Sequence, residues 1–294
     1  MRRREFLSFI AASAALPICV NPVKVNAEPP LRLGIFPRRN VKQTYRLFAP
    51  MAVYLQKQLG RKVILETTQS FMQFWENVKN SRYDIVHFNQ YHYIVSHQLY
   101  NYDVIAVNKE LGQSQISGSI IVRKDSGINH VSDLKGKTIL FGGGRRAMQS
   151  YISATWLLRQ GGLNKGDYKE KFAINPPNTI ISTYFKRADA SGSGDVVMQL
   201  DNVRSRIDIS KLKFLAKTKK MVHLPWALNR RLSQSLQSDI SRILTELDSH
   251  DAGLQVLRSA NLDALVPAID SEFDDHRKIV TEVYGDDYGV SHLK

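Results

Sequence analysis

From Leu31 onward, short apolar runs alternate with longer stretches in which apolar positions return every third or fourth residue. Arg32-Leu33-Gly34-Ile35-Phe36 reads as a strand that Pro37 stops. Residues 44–59 show helical spacing, with Gly60 as the stop signal and Pro50 early in the helix or at a kink. Residues 62–67 predict a second strand, 71–80 a second helix, and 84–89 a third strand leading into Gln90-Tyr91-His92-Tyr93. Residues 102–107 predict a fourth strand. The rhythm restarts with a strand at 117–123, a short helix and turn at 131–137 and a buried strand at 138–141. Three glycines, two arginines and a helix through Ile152, Trp156, Leu157 and Leu158 follow. A strand at 172–175, a helix at 178–187 and a strand at 212–216 come next, and from Ser233 the chain reads as nearly all helix.

This alternation predicts an α/β protein of two lobes, each a doubly wound, mostly parallel sheet flanked by helices. The second lobe is inserted into the first, which late helices complete, giving a clamshell. The expected divisions are 1–27, a first lobe of 28–116 with 221–294, and a second lobe of 117–220. Ligands in such folds sit where loops leave the C-terminal ends of strands.

Residues 1–27 change the picture of where the protein works. Arg2-Arg3-Arg4 precedes an apolar run from Leu7 to Val20 and then Val25-Asn26-Ala27, an export signal too short to be a membrane span. Arg3-Arg4 followed by Phe6-Leu7 resembles the twin-arginine signal, so the expected location is the periplasm after cleavage. Cys19, the single cysteine, lies inside this segment. The rest of the chain therefore has no disulfide, thiol nucleophile or thiolate metal site. The formal charge of +14 falls to +11 when the signal, with four basic residues against Glu5, is removed. A basic exported protein suits an anionic ligand, and export disfavours nucleic acid as a partner.

The most informative stretch is Gly142-Gly143-Gly144-Arg145-Arg146-Ala147-Met148-Gln149. A strand feeding a glycine turn and a helix start leaves backbone N–H groups unpaired, with the positive end of the helix dipole behind them. That geometry holds anions, and Arg145 and Arg146 add charge and fork-shaped donors to Gly143 and Gly144. Asn89, Tyr91 and Tyr93, just past a strand end, are the expected opposite wall. Ser191, Ser193 and Gly194 admit a ligand from the second lobe, and Ser117 and Ser119 lie on the crossover. The glycines also fit the dinucleotide spacing G-x-G-x-x-A, but the next strand ends in Ala173-Ile174-Asn175-Pro176 without an acid for a ribose. His87, His92 and His97 span a strand and a helix without sharing a face, which predicts core packing and pocket lining instead of a metal site. No G-x-S-x-G elbow or triad order is present, and no catalytic residue, cofactor or metal is expected.

The chain resembles the periplasmic substrate-binding proteins of phosphonate, phosphite and phosphate ABC transporters over about residues 31 to 235. The resemblance rests on Leu33-Gly34-Ile35, Phe48-Ala49-Pro50-Met51-Ala52-Val53-Tyr54-Leu55 and Tyr83-Asp84-Ile85. It rests also on Val122-Arg123-Lys124-Asp125-Ser126-Gly127-Ile128 followed by Asp133-Leu134-Lys135-Gly136-Lys137. It implies a type II periplasmic binding protein that closes on its ligand. The ligand site itself departs from the family. Where the family has an Asp-Pro-x-Ser-Thr-Ser-Gly run, this chain has Gly143 to Gln149, without the hydroxyls that hold a phosphonate. The family's pocket tyrosines fall on Phe71 and Ile116, its contacting histidine would fall near Pro176, and its acids for an amino group have no clear match near Val196 or Leu224. The expected function is a solute-binding protein that delivers a small anion of altered identity to a membrane permease. The alternative is a sensory subunit that reports the ligand to a sensor kinase.

Overall fold

The computed structural model describes residues 28–290. The expected export signal, 1–27, with Cys19 inside it, lies outside the described residues. A six-stranded sheet runs in the order Ala264–Pro267, Tyr102–Lys109, Pro225–Asn229, Ile85–His87, Leu31–Ile35, Val63–Glu66. The last three are parallel to one another, and Pro225–Asn229 lies antiparallel between Ile85–His87 and Tyr102–Lys109. A five-stranded sheet runs Leu212–Lys217, Gly118–Arg123, Ala190–Gly194, Thr138–Gly142, Lys169–Ala173. The only strand in it that runs against the others is Gly118–Arg123. Between the sheets the chain crosses twice, at Gln115–Ile116 and Met221–Val222, which pair as a short antiparallel ribbon.

The elements follow from local chemistry. Asn40 caps the helix Val41–Leu59 by accepting the Gln43 N–H at 2.9 Å, and Gly60 ends it at φ 61°. Leu47, Met51 and Leu55 form its buried stripe, packed with Ile240, Leu244 and Leu257 from the late helices. The helix begins three residues earlier than its spacing suggests, so Pro50 sits in mid-helix and removes one backbone hydrogen bond there. The helix Pro176–Tyr184 also starts earlier than 178, because Asn175 caps it and Pro176 takes the first turn, where a missing N–H costs nothing.

The pattern did not show Ala190–Gly194, buried at every position in the second sheet, nor two strands of the first. Pro225–Asn229 is buried at every position, so it shows no alternation, and Ala264–Pro267 falls in the region that reads as helix throughout. Both are antiparallel members of the larger sheet. The chain after Ser233 is therefore interrupted by a strand and not continuous helix.

One core runs across both halves. Phe74, Tyr83 and Phe88 beside the first sheet and Phe141, Tyr151 and Leu158 on or beside the second belong to one buried cluster with Phe273, Ile279 and Val283. The helix Asp274–Tyr284 makes this link, packing on both Gln90–Leu99 and Ser153–Gln160. Glu282 near its end accepts the Trp156 Nε1–H at 2.6 Å, and its backbone carbonyl accepts from Arg159. Trp226 anchors the larger sheet. Its ring stacks on His87 at 4.5 Å, and its Nε1–H donates to Asn108 Oδ1 at 2.8 Å. Trp226→Phe leaves that buried oxygen without a donor and opens a small void. It is expected to lower stability by about 2 kcal/mol, read as a drop in the urea midpoint at unchanged slope.

Candidate functional site

The C-terminal ends of strands in both sheets face one cleft of about 110 Å³. Leu31–Ile35 delivers Phe36, Pro37 and Arg38 to it, and Ile85–His87 delivers Asn89 and Gln90. From the other side, Thr138–Gly142 delivers Gly143 and the turn to Ser150, Lys169–Ala173 delivers Ile174 to Pro176, and Ala190–Gly194 delivers Val196 and Val197. Ile116, His223 and Leu224 close it beside the crossing ribbon.

Five helical segments begin at this cleft: Phe71–Lys79, Gln90–Leu99, Met148–Ile152, Pro176–Tyr184 and Asp195–Gln199. The first N–H groups of each have no acceptor within the helix, and the partial positive charge of each dipole lies at that end. Asn89 accepts the His92 N–H at 3.0 Å and Asn175 the Asn178 N–H at 3.1 Å, so side-chain caps satisfy only part of the set. Asn89 also donates through Nδ2 to the Arg146 carbonyl at 3.2 Å, a hydrogen bond between the two lobes.

The glycine turn is dictated by space and by handedness. A Cβ on Gly142 would lie 2.4 Å from the Pro176 nitrogen, and Gly143 and Gly144 hold φ of 80° and 85°. The helix then opens with a π turn, in which Tyr151 and Ile152 both donate to the Ala147 carbonyl. Ser150 Oγ accepts the Gly142 N–H at 2.6 Å and donates to the Gly192 carbonyl at 2.9 Å, pinning the turn to the sheet.

Of the residues singled out in the sequence, Phe71, Asn89, Gly143 and Gly194 line the cleft. Gly144 and Ser117 do not line it, and the Ser117 N–H donates to Asp195 Oδ1 at 3.0 Å. Tyr91 and Tyr93 are buried behind the wall, donating to the Tyr288 carbonyl at 2.9 Å and to Asp270 at 2.7 Å, and burial pushes the Tyr91 hydroxyl up to about 12. Ser191 and Ser193 are buried in the second sheet, their hydroxyls without a hydrogen-bond partner. Arg145 is directed away from the cleft: its guanidinium pairs with Glu170, contacts the Tyr151 hydroxyl and covers the Phe172 ring at 5.2 Å. Arg146 contributes its carbonyl to Asn89, and its side chain does not line the cleft. Phe71 and Ile116, where the resemblance sets the family's pocket tyrosines, line it, as do Pro176, Val196 and Leu224, near which its histidine and acids were sought.

Pattern reading missed the charged wall. Arg38 lines the cleft with Nη1 3.3 Å from both oxygens of Glu110, and His223 lines it with Nε2 3.3 Å from Glu110 Oε2. Burial alone would raise the Glu110 carboxyl, but the charges of Arg38 and Arg39 oppose it, and the group is held below the ordinary carboxylate range. Burial and the like charge of Arg38 push Arg39 down to about 10, still protonated at neutral pH. A basic residue immediately behind the strand end at Phe36-Pro37 was the available signal for Arg38. Gln149 also lines the cleft, with Oε1 accepting from Ser153 Oγ and Nε2 3.3 Å from His276 Nε2. The three histidines of the first lobe diverge. His87 stacks on Trp226, His92 stacks on Phe71 at 5.3 Å, and His97 lies between Asp103 and Asp270.

A sequence-family model described as ABC transporter, phosphonate, periplasmic substrate-binding protein matches residues 33–273. The chain belongs to that family. It is a family of transport binding proteins, periplasmic in its members, and not an enzyme family. The fold is similar to a binding-protein component of an ABC phosphonate transporter from Pseudomonas aeruginosa, at 13% identity and TM-score 0.73, covering 90% of this chain and 88% of that one. PhnD1 from Prochlorococcus marinus, in complex with methylphosphonate, is similar at 19% identity and TM-score 0.73, covering 87% and 98%. A Xanthomonas citri protein bound to ATP is similar at 12% identity and TM-score 0.74, covering 90% and 98%. Like these, the family member described here is a two-lobed type II periplasmic binding protein.

Four histidines are held neutral by burial. His87, His92 and His276 are each pushed from 6.5 down to about 3, and His223 to about 4. In the unfolded chain they titrate near 6.5, so that state binds more protons as the pH falls below it. The stability from neutral burial is complete above about pH 6.5 and is lost as the pH falls toward 4 and then 3, at up to about 1.4 kcal/mol per pH unit for each histidine. Urea unfolding between pH 4.5 and 7 is expected to show proton uptake approaching four from these residues near pH 5. A flat profile across that range would contradict their buried neutral state.

Proposed function

We propose that the protein is the solute-binding component of an ABC importer and closes on a small oxyanion that carries an apolar substituent. The observation that carries this reading is the meeting of five helix starts from both lobes on one cleft with aliphatic and aromatic walls. Helix starts supply N–H donors and positive potential to an oxyanion. Phe36, Phe71, Ile116, Met148, Val196 and Leu224 offer contact to a hydrocarbon group. Among the described residues no aspartate or glutamate lines the cleft, so an ammonium group on the ligand has no carboxylate to pair with. The site proposed is Phe71, Asn89 and Gly143 together with the turn from Ala147 to Ser150, and the hinge is proposed at the ribbon of Gln115–Ile116 and Met221–Val222. Ligand contacts from both lobes stabilise the closed form over the open one. Family membership favours delivery to a membrane permease over reporting to a sensor kinase. The Arg3-Arg4 and Phe6-Leu7 signal supports export by the twin-arginine route.

A thermal-shift panel tests the ligand class. Propylphosphonate or propanesulfonate at about a hundredfold over its dissociation constant is expected to raise the melting temperature by about 5 °C. 3-Aminopropylphosphonate and inorganic phosphate are expected to bind at least tenfold more weakly. Preference for the aminoalkyl compound, or for ATP, would count against an apolar substituent.

A further inference from the structure

We propose that Arg38 and His223, arranged about Glu110, are the charge-selecting half of the ligand site and receive the oxyanion itself. This rests on the binding-protein reading above and goes beyond it by moving the cationic contact from the glycine-arginine turn to the first lobe. Arg38 is the one lysine or arginine that lines the cleft among the described residues. Only its Nη1 meets Glu110, so Nη2 and Nε keep N–H groups for a second oxyanion, in the fork geometry that suits one.

His223 is the second donor. It lines the cleft with 1% of its surface exposed. Its Nδ1 accepts the Leu224 N–H at 2.8 Å, which puts the ring proton on Nε2. That Nε2 lies 3.3 Å from Glu110 Oε2 but makes no hydrogen bond in this arrangement. A buried N–H donor without an acceptor is costly, and an anion in the cleft supplies the acceptor.

Glu110 makes the wall selective instead of merely basic. With 4% exposure it is an almost fully desolvated carboxylate facing Arg38, Arg39 and His223. Two cations against one anion leave a net single positive charge, with neutral His223 adding a donor and no charge. By contrast, Arg145 is neutralised by Glu170 outside the cleft. The positive potential on the second lobe then comes from helix starts alone, and the fixed formal charge comes from the first.

Titration calorimetry of the intact protein with propylphosphonate and with inorganic sulfate tests this. Arg38→Gln is expected to weaken both probes at least twentyfold, and Arg38→Lys, which keeps the charge but loses the fork, three- to tenfold. His223→Phe is expected to lose about tenfold, whereas His223→Gln, which restores an N–H donor, stays within threefold of wild type. Lys135→Gln removes an equal charge from the exposed surface and should leave affinity unchanged. Circular dichroism and the urea midpoint establish that each variant is folded. Wild-type binding that survives Arg38→Gln within threefold overturns the proposal and leaves the binding-protein reading standing. Equal losses for His223→Phe and His223→Gln overturn the donor role of His223. Failure of the wild type to bind either probe overturns both readings.

Discussion

Five helix starts pointed at one space repel one another, and the rest of the structure is arranged around that repulsion. Each carries a partial positive charge and unpaired N–H groups, and in a cleft with apolar walls little water is present to screen them. The topology places them there, because parallel strands of a sheet end on the same edge and the helices that follow them start at it. Both sheets turn that edge toward the cleft. An empty closed cleft is thus electrostatically unfavourable, and an anion converts the same dipoles from mutual repulsion to shared attraction. Closure coupled to anion occupancy follows from the fold before any particular side chain is considered.

What holds the two edges in register is covalent on one side and hydrophobic on the other. The paired crossings at Gln115–Ile116 and Met221–Val222 fix the near side. The helix Asp274–Tyr284 fixes another by burying Ile279 and Val283 in a core shared by both sheets. Glu282 ties it to Trp156 and Arg159, and Tyr284 donates to the Arg145 carbonyl. Surface ion pairs alone would contribute little to such a link, whereas a continuous apolar core contributes much more. The clamshell is therefore three connections wide, not two.

The sequence made the alternation of strands and helices visible wherever one face of an element meets water. It lost Pro225–Asn229 and Ala190–Gly194, because a strand buried on both faces has no period to read, and it lost the four-residue Ala264–Pro267 between helical stretches. The glycine turn was legible because Gly142 to Gly144 carry their backbone conformation in their identity. The direction of Arg145 was not, since Glu170 on the neighbouring strand decides it and nothing within a few residues announces that pairing. Arg38 shows the same limit from the other side. It stands next to a strand end, yet its value depends on Glu110, more than seventy residues away, and on His223 near the far crossing.

Similarity of fold and divergence of pocket are compatible here because the two halves of recognition use different atoms. Backbone N–H groups at helix starts need only the topology and an N-cap, so they persist whatever side chains line the cleft. The substituent on the ligand meets side chains, and those are free to change, as from tyrosine to Phe71 and Ile116. Loss of the hydroxyl-bearing run therefore removes some donors without removing the anion site, provided a cation is supplied from elsewhere. Arg38 meets that condition from the first lobe, and its pairing with the desolvated Glu110 keeps the added charge from exceeding what a single oxyanion can balance.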